Sequence, residues 1–113
     1  MCDHSGCLGD RRSGWPALYK ASDVKTNPEY ITCAAYYDGV YFARRIKCPI
    51  YISTGFVDTV CPPSSVYAAF NNIPAGVEKH IQTYPAGNHG TSPSVVANKA
   101  IAEYLKRIKA EAK

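Results

Sequence analysis

The sequence predicts an α/β fold in which a strand, a helix, a second strand and a second helix follow one another. Three observations support this prediction. An almost continuous apolar run at residues 46–54 is typical of a strand buried on both faces. An alternating run at residues 79–84 predicts a second strand. Apolar residues then recur at helical spacing after each of the two runs.

Size and composition limit the class of protein. The chain has 113 residues, enough for one domain at most. Its hydrophobic fraction of 46% and charged fraction of 19% argue against disorder. No apolar run reaches the roughly 20 residues that span a bilayer, and the first residues lack the apolar segment of a signal peptide. Neither a membrane protein nor a membrane partner is therefore expected.

Charge and cysteine content argue against several kinds of partner. The net charge of +4 comes from scattered basic residues rather than from a dense stripe, so no nucleic-acid partner is expected. Five cysteines, an odd number without a C-x-x-C pair, do not suit a disulfide scaffold and favour a cytoplasmic location. Cys2, His4 and Cys7 offer metal ligands but lack a second pair, so we expect no metal and no other cofactor.

The first part of the chain is predicted to be irregular. Glycine, proline and small polar residues make 1–30 mostly loop. Residues 31–45 follow a helical pattern that Gly39 interrupts, which predicts either one broken helix or two short helices. Four aromatic residues of this segment are expected to form a partly buried packing surface. They are Tyr36, Tyr37, Tyr41 and Phe42.

The later elements have clearer boundaries. Pro49 belongs near the start of the first strand, because proline is tolerated there. Pro62 and Pro63 precede a predicted helix that Ser64 caps. The last helix is predicted from about Ser94 to Ala112, with an apolar stripe along one face.

Two polar residues follow the two predicted strands. Asp58 comes after the first strand, and His89 lies in the glycine-rich loop after the second. Parallel strands end at the same edge of a sheet, where ligands of α/β proteins bind. Each residue alone is commonly an ordinary loop residue. Together they predict that Asp58 accepts a hydrogen bond from a ring nitrogen of His89, which holds the imidazole in one tautomer and stabilises its charged form.

A serine nucleophile that would complete such a pair is absent from the sequence. No G-x-S-x-G motif, in which the serine of many hydrolases lies, occurs in the chain. Ser5 and Ser13 lack the first glycine, and Ser53 falls inside the predicted strand. The nucleophile is therefore expected outside these residues. His4 and His80 are expected to be structural or surface residues, and Asp23 and Asp38 to be ordinary polar residues.

Several sequence blocks resemble the C-terminal part of the acetyl xylan esterase/cephalosporin-C deacetylase family of α/β-hydrolases. The blocks GFVDTVCPPSSVYAAFN and Y-P-x-x-x-H are similar to the acid loop and the histidine loop of that family. The opening C-D-H and the segment YYDGVYFA also look like family segments. By position, the resemblance implies that Asp58 is the acid and His89 the histidine of a catalytic triad.

The resemblance has consequences for the whole chain. Residues 1–113 would be a C-terminal fragment of an α/β-hydrolase domain, an incomplete domain that contributes the βαβα portion of the parallel sheet. Gly90 stands where the family often has an acidic residue. The implied function is a serine carboxylesterase that removes acetyl groups from acetylated sugars of the xylan or cephalosporin-C type, or from a small acetyl ester. Self-association is also implied, and an open sheet edge favours it.

Two other functions remain open at the level of sequence. The last strands of prolyl-oligopeptidase-type serine peptidases share the acid and histidine pattern, although the CPPSSVYAAFN block favours the esterase. Alternatively, a chain without a nucleophile would be a non-catalytic interaction module or a truncated gene product.

Overall fold

A computed structural model describes residues 3–20, 27–90 and 94–112. The two strands are β1 (Ile50–Gly55) and β2 (Lys79–Tyr84), which are hydrogen-bonded to each other within the described part of the chain. Helices precede, connect and follow them: α1 (Pro28–Ala35), α2 (Gly39–Ala43), α3 (Pro63–Asn72) and α4 (Ser94–Glu111). Two short 3-10 helices, His4–Gly9 and Leu18–Lys20, lie within the segment predicted as mostly loop.

The strands pair in parallel, from Ile50 opposite Lys79 to Gly55 opposite Tyr84. This confirms the predicted α/β fold with its order of strand, helix, strand and helix. β1 begins later than residue 46, where the apolar run starts, because Pro49 has no N–H to donate. The first bond of the ladder instead comes from the amide of Ile50, which donates to the carbonyl of Glu78 at 3.0 Å.

Two helices form the hydrophobic core with β1. Val40 and Ala43 of α2 pack against Ala69 and Ile73 of α3, and the Ile52 side chain of β1 lies against this cluster. The prediction that Ser64 caps α3 is wrong, since Pro62 occupies the cap position and no side chain caps the helix. The Ser64 hydroxyl instead donates to the carbonyl of Arg12 at 3.4 Å, which ties the first segment of the chain to α3.

The aromatic segment forms two helices, α1 and α2, and its aromatic side chains are not buried. Tyr36 and Tyr37 are 75% and 77% exposed, and Tyr41 and Phe42 are exposed as well. The prediction that these four side chains form a partly buried packing surface is therefore wrong for the described residues. The core positions of α2 are Val40 and Ala43, at i and i+3, which turns the neighbouring aromatic residues away from the core.

The final helix α4 is joined to the sheet by an ion pair. The Arg107 guanidinium donates from Nη2 to Oε2 of Glu78 at 2.7 Å. Three residues of its predicted apolar stripe, Ile101, Leu105 and Ile108, remain exposed. The described residues thus leave this face of α4 uncovered.

Asp38 is a buried anchor rather than the ordinary polar residue that the sequence suggested. Its side chain is fully buried at the start of α2. Its carboxylate accepts from the backbone amides of Asp3 at 2.9 Å, His4 at 2.7 Å and Val40 at 3.0 Å. One side chain therefore both caps α2 and fixes the start of the described chain. Asp23, the other aspartate expected to be an ordinary polar residue, lies outside the described residues.

Replacing Asp38 with alanine is expected to lower the free energy of unfolding by about 2–4 kcal/mol, because three buried amides lose their acceptor. Asn27→Ala is the matched control, since Asn27 caps α1 at the surface through one hydrogen bond to the Glu29 amide. Its loss is expected to cost about 1 kcal/mol. Urea denaturation measures both variants, and equal losses would contradict the anchoring role of Asp38.

Candidate active site

The acid loop, residues 58–61, follows β1 and fixes the carboxylate of Asp58. Oδ1 of Asp58 accepts hydrogen bonds from the backbone amides of Val60 and Cys61, each at 2.8 Å. The Asp58 amide in turn donates to the carbonyl of Gly55, the last residue of β1. A short polar side chain that bonds to amides just after it stabilises a tight turn. This turn leaves Oδ2 of Asp58 for a second partner.

That partner is His89, in the loop that follows β2. Nδ1 of His89 lies 3.0 Å from Oδ2 of Asp58, so the predicted contact between the two residues is confirmed. The Asp58 side chain is 9% exposed, whereas that of His89 is 56% exposed. Since Nδ1 faces the acid, Nε2 lies on the other side of the ring and is left to act on a substrate or nucleophile. The catalytic role itself stays a prediction.

Two glycines bring the acid loop and the histidine loop together. A Cβ atom on Gly55 would overlap the backbone carbonyl of Gly87. Across the same contact, the amide of Val57 donates to the Gly87 carbonyl at 3.0 Å, and that of Phe56 donates to the Tyr84 carbonyl at 3.0 Å. The sequence indicated only that Gly55 ends the first apolar run and that Gly87 lies in the loop after the second. Gly55 ends β1 and Gly87 lies in the loop after β2. Glycines at such positions can indicate that two backbone segments approach closely.

The pKa of Asp58 is lowered by its hydrogen bonds. Burial is the largest single influence and favours the neutral acid, which alone would raise the pKa. The Cys61 amide, the His89 ring and the Val60 amide together outweigh burial, so the pKa falls below its ordinary value. Asp58 therefore remains ionised at neutral pH, as required of a carboxylate that stabilises an imidazolium.

A cavity of about 220 Å³ adjoins the pair and is lined by Asp58, His89 and the end of β1. Thr54 lies on its wall, and its buried hydroxyl has no hydrogen-bond partner within the described structure. Ser53 and Cys61 also line the cavity. In the described residues, however, the His89 ring bonds to Asp58 and to neither of these side chains. The site thus holds an acid and a base in hydrogen-bond contact.

The other residues considered in the sequence lie elsewhere. Ser13 is buried, and its hydroxyl accepts from the Cys7 thiol at 3.4 Å, away from the cavity beside His89. His4 is buried, and His80 stacks on Tyr51 with ring centroids 4.8 Å apart. Cys2 falls outside the described ranges. Across those ranges no group of three or more His, Cys, Asp or Glu residues is arranged to hold a metal ion. None of the described helices has the length and apolar character for crossing a bilayer.

The parallel strands and the contact between Asp58 and His89 define an α/β protein in which an acid and a histidine meet at one edge of the sheet. Comparison with known proteins is more specific, because residues 18–108 match the acetyl xylan esterase (AXE1) family. The chain belongs to this family. The resemblance that the sequence blocks suggested is thereby confirmed.

Two relatives show how much of the family fold this chain represents. It is 41% identical over 92 residues to acetyl esterase Axe7A of Xylanibacter ruminicola, a match that covers 81% of this chain and 20% of that protein. It also superposes on the solved acetyl xylan esterase from Paenibacillus sp. R4 with a TM-score of 0.69 at 20% identity. That superposition covers 95% of this chain and 34% of the solved one. The chain therefore spans about a fifth to a third of these relatives.

Proposed function

We propose that the whole protein containing this chain is a serine-dependent esterase that removes acetyl groups from acetylated sugars. The contact between Nδ1 of His89 and Oδ2 of Asp58 carries the proposal. It is the arrangement in which a buried acid holds the imidazole of a general base. The names of the family and of the two relatives, all acetyl esterases, support the choice of ester.

In this mechanism, Nε2 of His89 removes the proton from a serine hydroxyl as the serine oxygen attacks the acetyl carbonyl. The imidazolium then gives that proton to the departing sugar oxygen, and an acetyl-enzyme remains. Water, deprotonated by the same nitrogen, releases acetate and regenerates the serine. Asp58 stays ionised throughout and stabilises the charged imidazole. We place the serine and the oxyanion hole in the part of the fold outside these 113 residues.

The substrates we propose are acetylated xylan fragments, with cephalosporin-C-type acetates and small acetyl esters as further candidates. Acyl transfer by this route needs no cofactor. Membership of the acetyl xylan esterase family favours this reaction over a prolyl-oligopeptidase-type peptidase activity. The non-catalytic alternative applies to the 113 residues by themselves, since they contain no G-x-S-x-G.

The test compares the whole protein with the 113-residue chain in hydrolysis of p-nitrophenyl acetate. The whole protein is expected to turn over and to be inhibited by a fluorophosphonate, which reacts with activated serines. The chain alone is expected to show no more turnover than its His89→Ala variant, because a base without nucleophile and oxyanion hole retains little catalysis. An inactive whole protein would refute the esterase. A His89-dependent, fluorophosphonate-sensitive rate in the chain alone would show that the nucleophile lies within these 113 residues and would refute its placement outside them.

A further inference from the structure

Thr54, near the end of β1, carries a buried hydrogen-bonding group that the mechanism above does not use. The residue is 5% exposed, and it lines the cavity beside Asp58 and His89. Its hydroxyl has no hydrogen-bond partner within the described structure. Leaving a buried hydroxyl unpaired costs free energy, and an unpaired group of this kind in a native protein calls for an explanation. The position of Thr54 on the cavity wall suggests that its partner lies in the cavity.

The Asp58 carboxylate offers the matching acceptor. An ionised carboxylate has about four lone-pair sites. Among the described residues, Oδ1 of Asp58 accepts from the amides of Val60 and Cys61, and Oδ2 faces Nδ1 of His89. These contacts leave a lone pair on Oδ2. Thr54 does not reach it directly, since the Thr54 hydroxyl bonds to nothing in the described structure. A molecule between the two groups is therefore needed to join them.

The cavity has the size and the polarity to hold that molecule if it is water. Its volume is about 220 Å³, whereas one water needs roughly 15 Å³. Buried water is held where it meets two or more polar groups. Thr54 supplies a donor and Asp58 an acceptor, and Ser53 lines the same cavity. One water can thus satisfy the hydroxyl and the carboxylate together.

We propose that Thr54 is a positioning residue for the catalytic acid and acts on it through a water molecule in this cavity. The water accepts a hydrogen bond from the Thr54 hydroxyl and donates one to Oδ2 of Asp58. This inference rests on the proposed function, because it concerns the acid of the same site. The backbone amides fix only Oδ1, so the water bridge holds the oxygen that faces His89. A bond donated to the carboxylate also favours its ionised form.

A crystal structure of the whole protein, at a resolution that shows ordered water, tests the bridge directly. A water is expected within about 3.2 Å of both the Thr54 hydroxyl and the Asp58 carboxylate. It should be retained in Thr54→Ser, which keeps the hydroxyl, and lost in Thr54→Val, which keeps the shape. A direct bond from another residue to the Thr54 hydroxyl, or the lack of this water, would overturn the proposal.

Kinetics and thermal unfolding of the same variants test the role of the bridge. Thr54→Val is expected to lower kcat for p-nitrophenyl acetate about fivefold with KM unchanged, and Thr54→Ser to retain the rate. Thr54→Val should also lower the thermal midpoint by about 2 °C, because a hydrogen bond is lost. Thr83→Val is the matched control. Thr83 lies opposite Thr54 in the ladder, and it is not among the described residues that line the cavity. Its replacement should leave kcat unchanged.

The direction of the thermal shift separates a bridged hydroxyl from an unpaired one. Valine in place of an unpaired hydroxyl removes an unsatisfied group, so a raised midpoint in Thr54→Val would contradict the bridge. A loss of kcat that Thr54→Ser shares would contradict it too. A whole protein that hydrolyses no ester, yet shows the water and a lower midpoint in Thr54→Val, would support the bridge and refute the esterase.

Discussion

His89→Ala is expected to lower kcat for acetyl esters by several orders of magnitude in the whole protein, with the thermal midpoint nearly unchanged. The loss is large because one nitrogen serves as base and then as acid in both halves of the reaction. The fold should tolerate the change, because the His89 side chain is 56% exposed. The measurement is steady-state hydrolysis of p-nitrophenyl acetate and of an acetylated xylooligosaccharide.

His80→Ala is the matched control for this experiment. His80 is an exposed histidine on β2 that stacks on Tyr51, and it does not line the cavity beside Asp58. Its loss is expected to leave kcat within about twofold, as for a surface change away from the site. A His89→Ala variant that keeps most of its activity would rule out the proposed base.

Asp58→Asn tests whether the two residues serve one proton transfer. The Asp58→Asn substitution is expected to lower kcat by a similar or smaller factor than His89→Ala, because the asparagine amide favours the wrong tautomer of the imidazole. The Asp58→Asn/His89→Ala double variant should resemble the worse single variant, since residues that act as a unit are not additive. Losses that multiply in the double variant would indicate independent roles and contradict the pair.

Gly55→Ala is expected to reduce both stability and activity, although Gly55 has no side chain that could take part in the chemistry. A Cβ atom there would overlap the Gly87 carbonyl, which is backbone and has little freedom to move. Relieving this overlap must push the acid loop from the histidine loop and lengthen the bond between Asp58 and His89. Overpacking of this kind costs about 1–3 kcal/mol. Urea denaturation and p-nitrophenyl acetate hydrolysis measure the two effects.

Gly76→Ala is the control for this substitution. Gly76 lies in the turn before β2, where an added Cβ atom would meet nothing within 4 Å. This change is expected to be neutral or slightly stabilising, because alanine lowers the entropy of the unfolded chain. If Gly55→Ala were equally neutral in both measurements, the close approach of the two loops would not matter for the site.

The local residue pattern was sufficient to predict the two strands and the contact between Asp58 and His89. The run at residues 79–84 predicted β2 with its observed bounds, because alternation reports a strand directly. Parallel pairing then required the loops after β1 and β2 to emerge at one edge. Asp58 and His89 could therefore be brought together without coordinates, although they are 31 residues apart in sequence.

Tertiary structure alone decided the features that depend on distant backbone. The sequence predicts only an ordinary polar residue at Asp38, and only the folded chain brings the amides of Asp3 and His4 to its carboxylate. The packing of Gly55 on Gly87, and the hydrogen bond from the Ser64 hydroxyl to the Arg12 carbonyl, are likewise contacts between separate segments. Periodicity reports which face of an element is apolar, but not what comes to lie against that face. For this reason the helices of this chain were predictable from sequence, whereas the exposure of Tyr36 and Tyr37 was not.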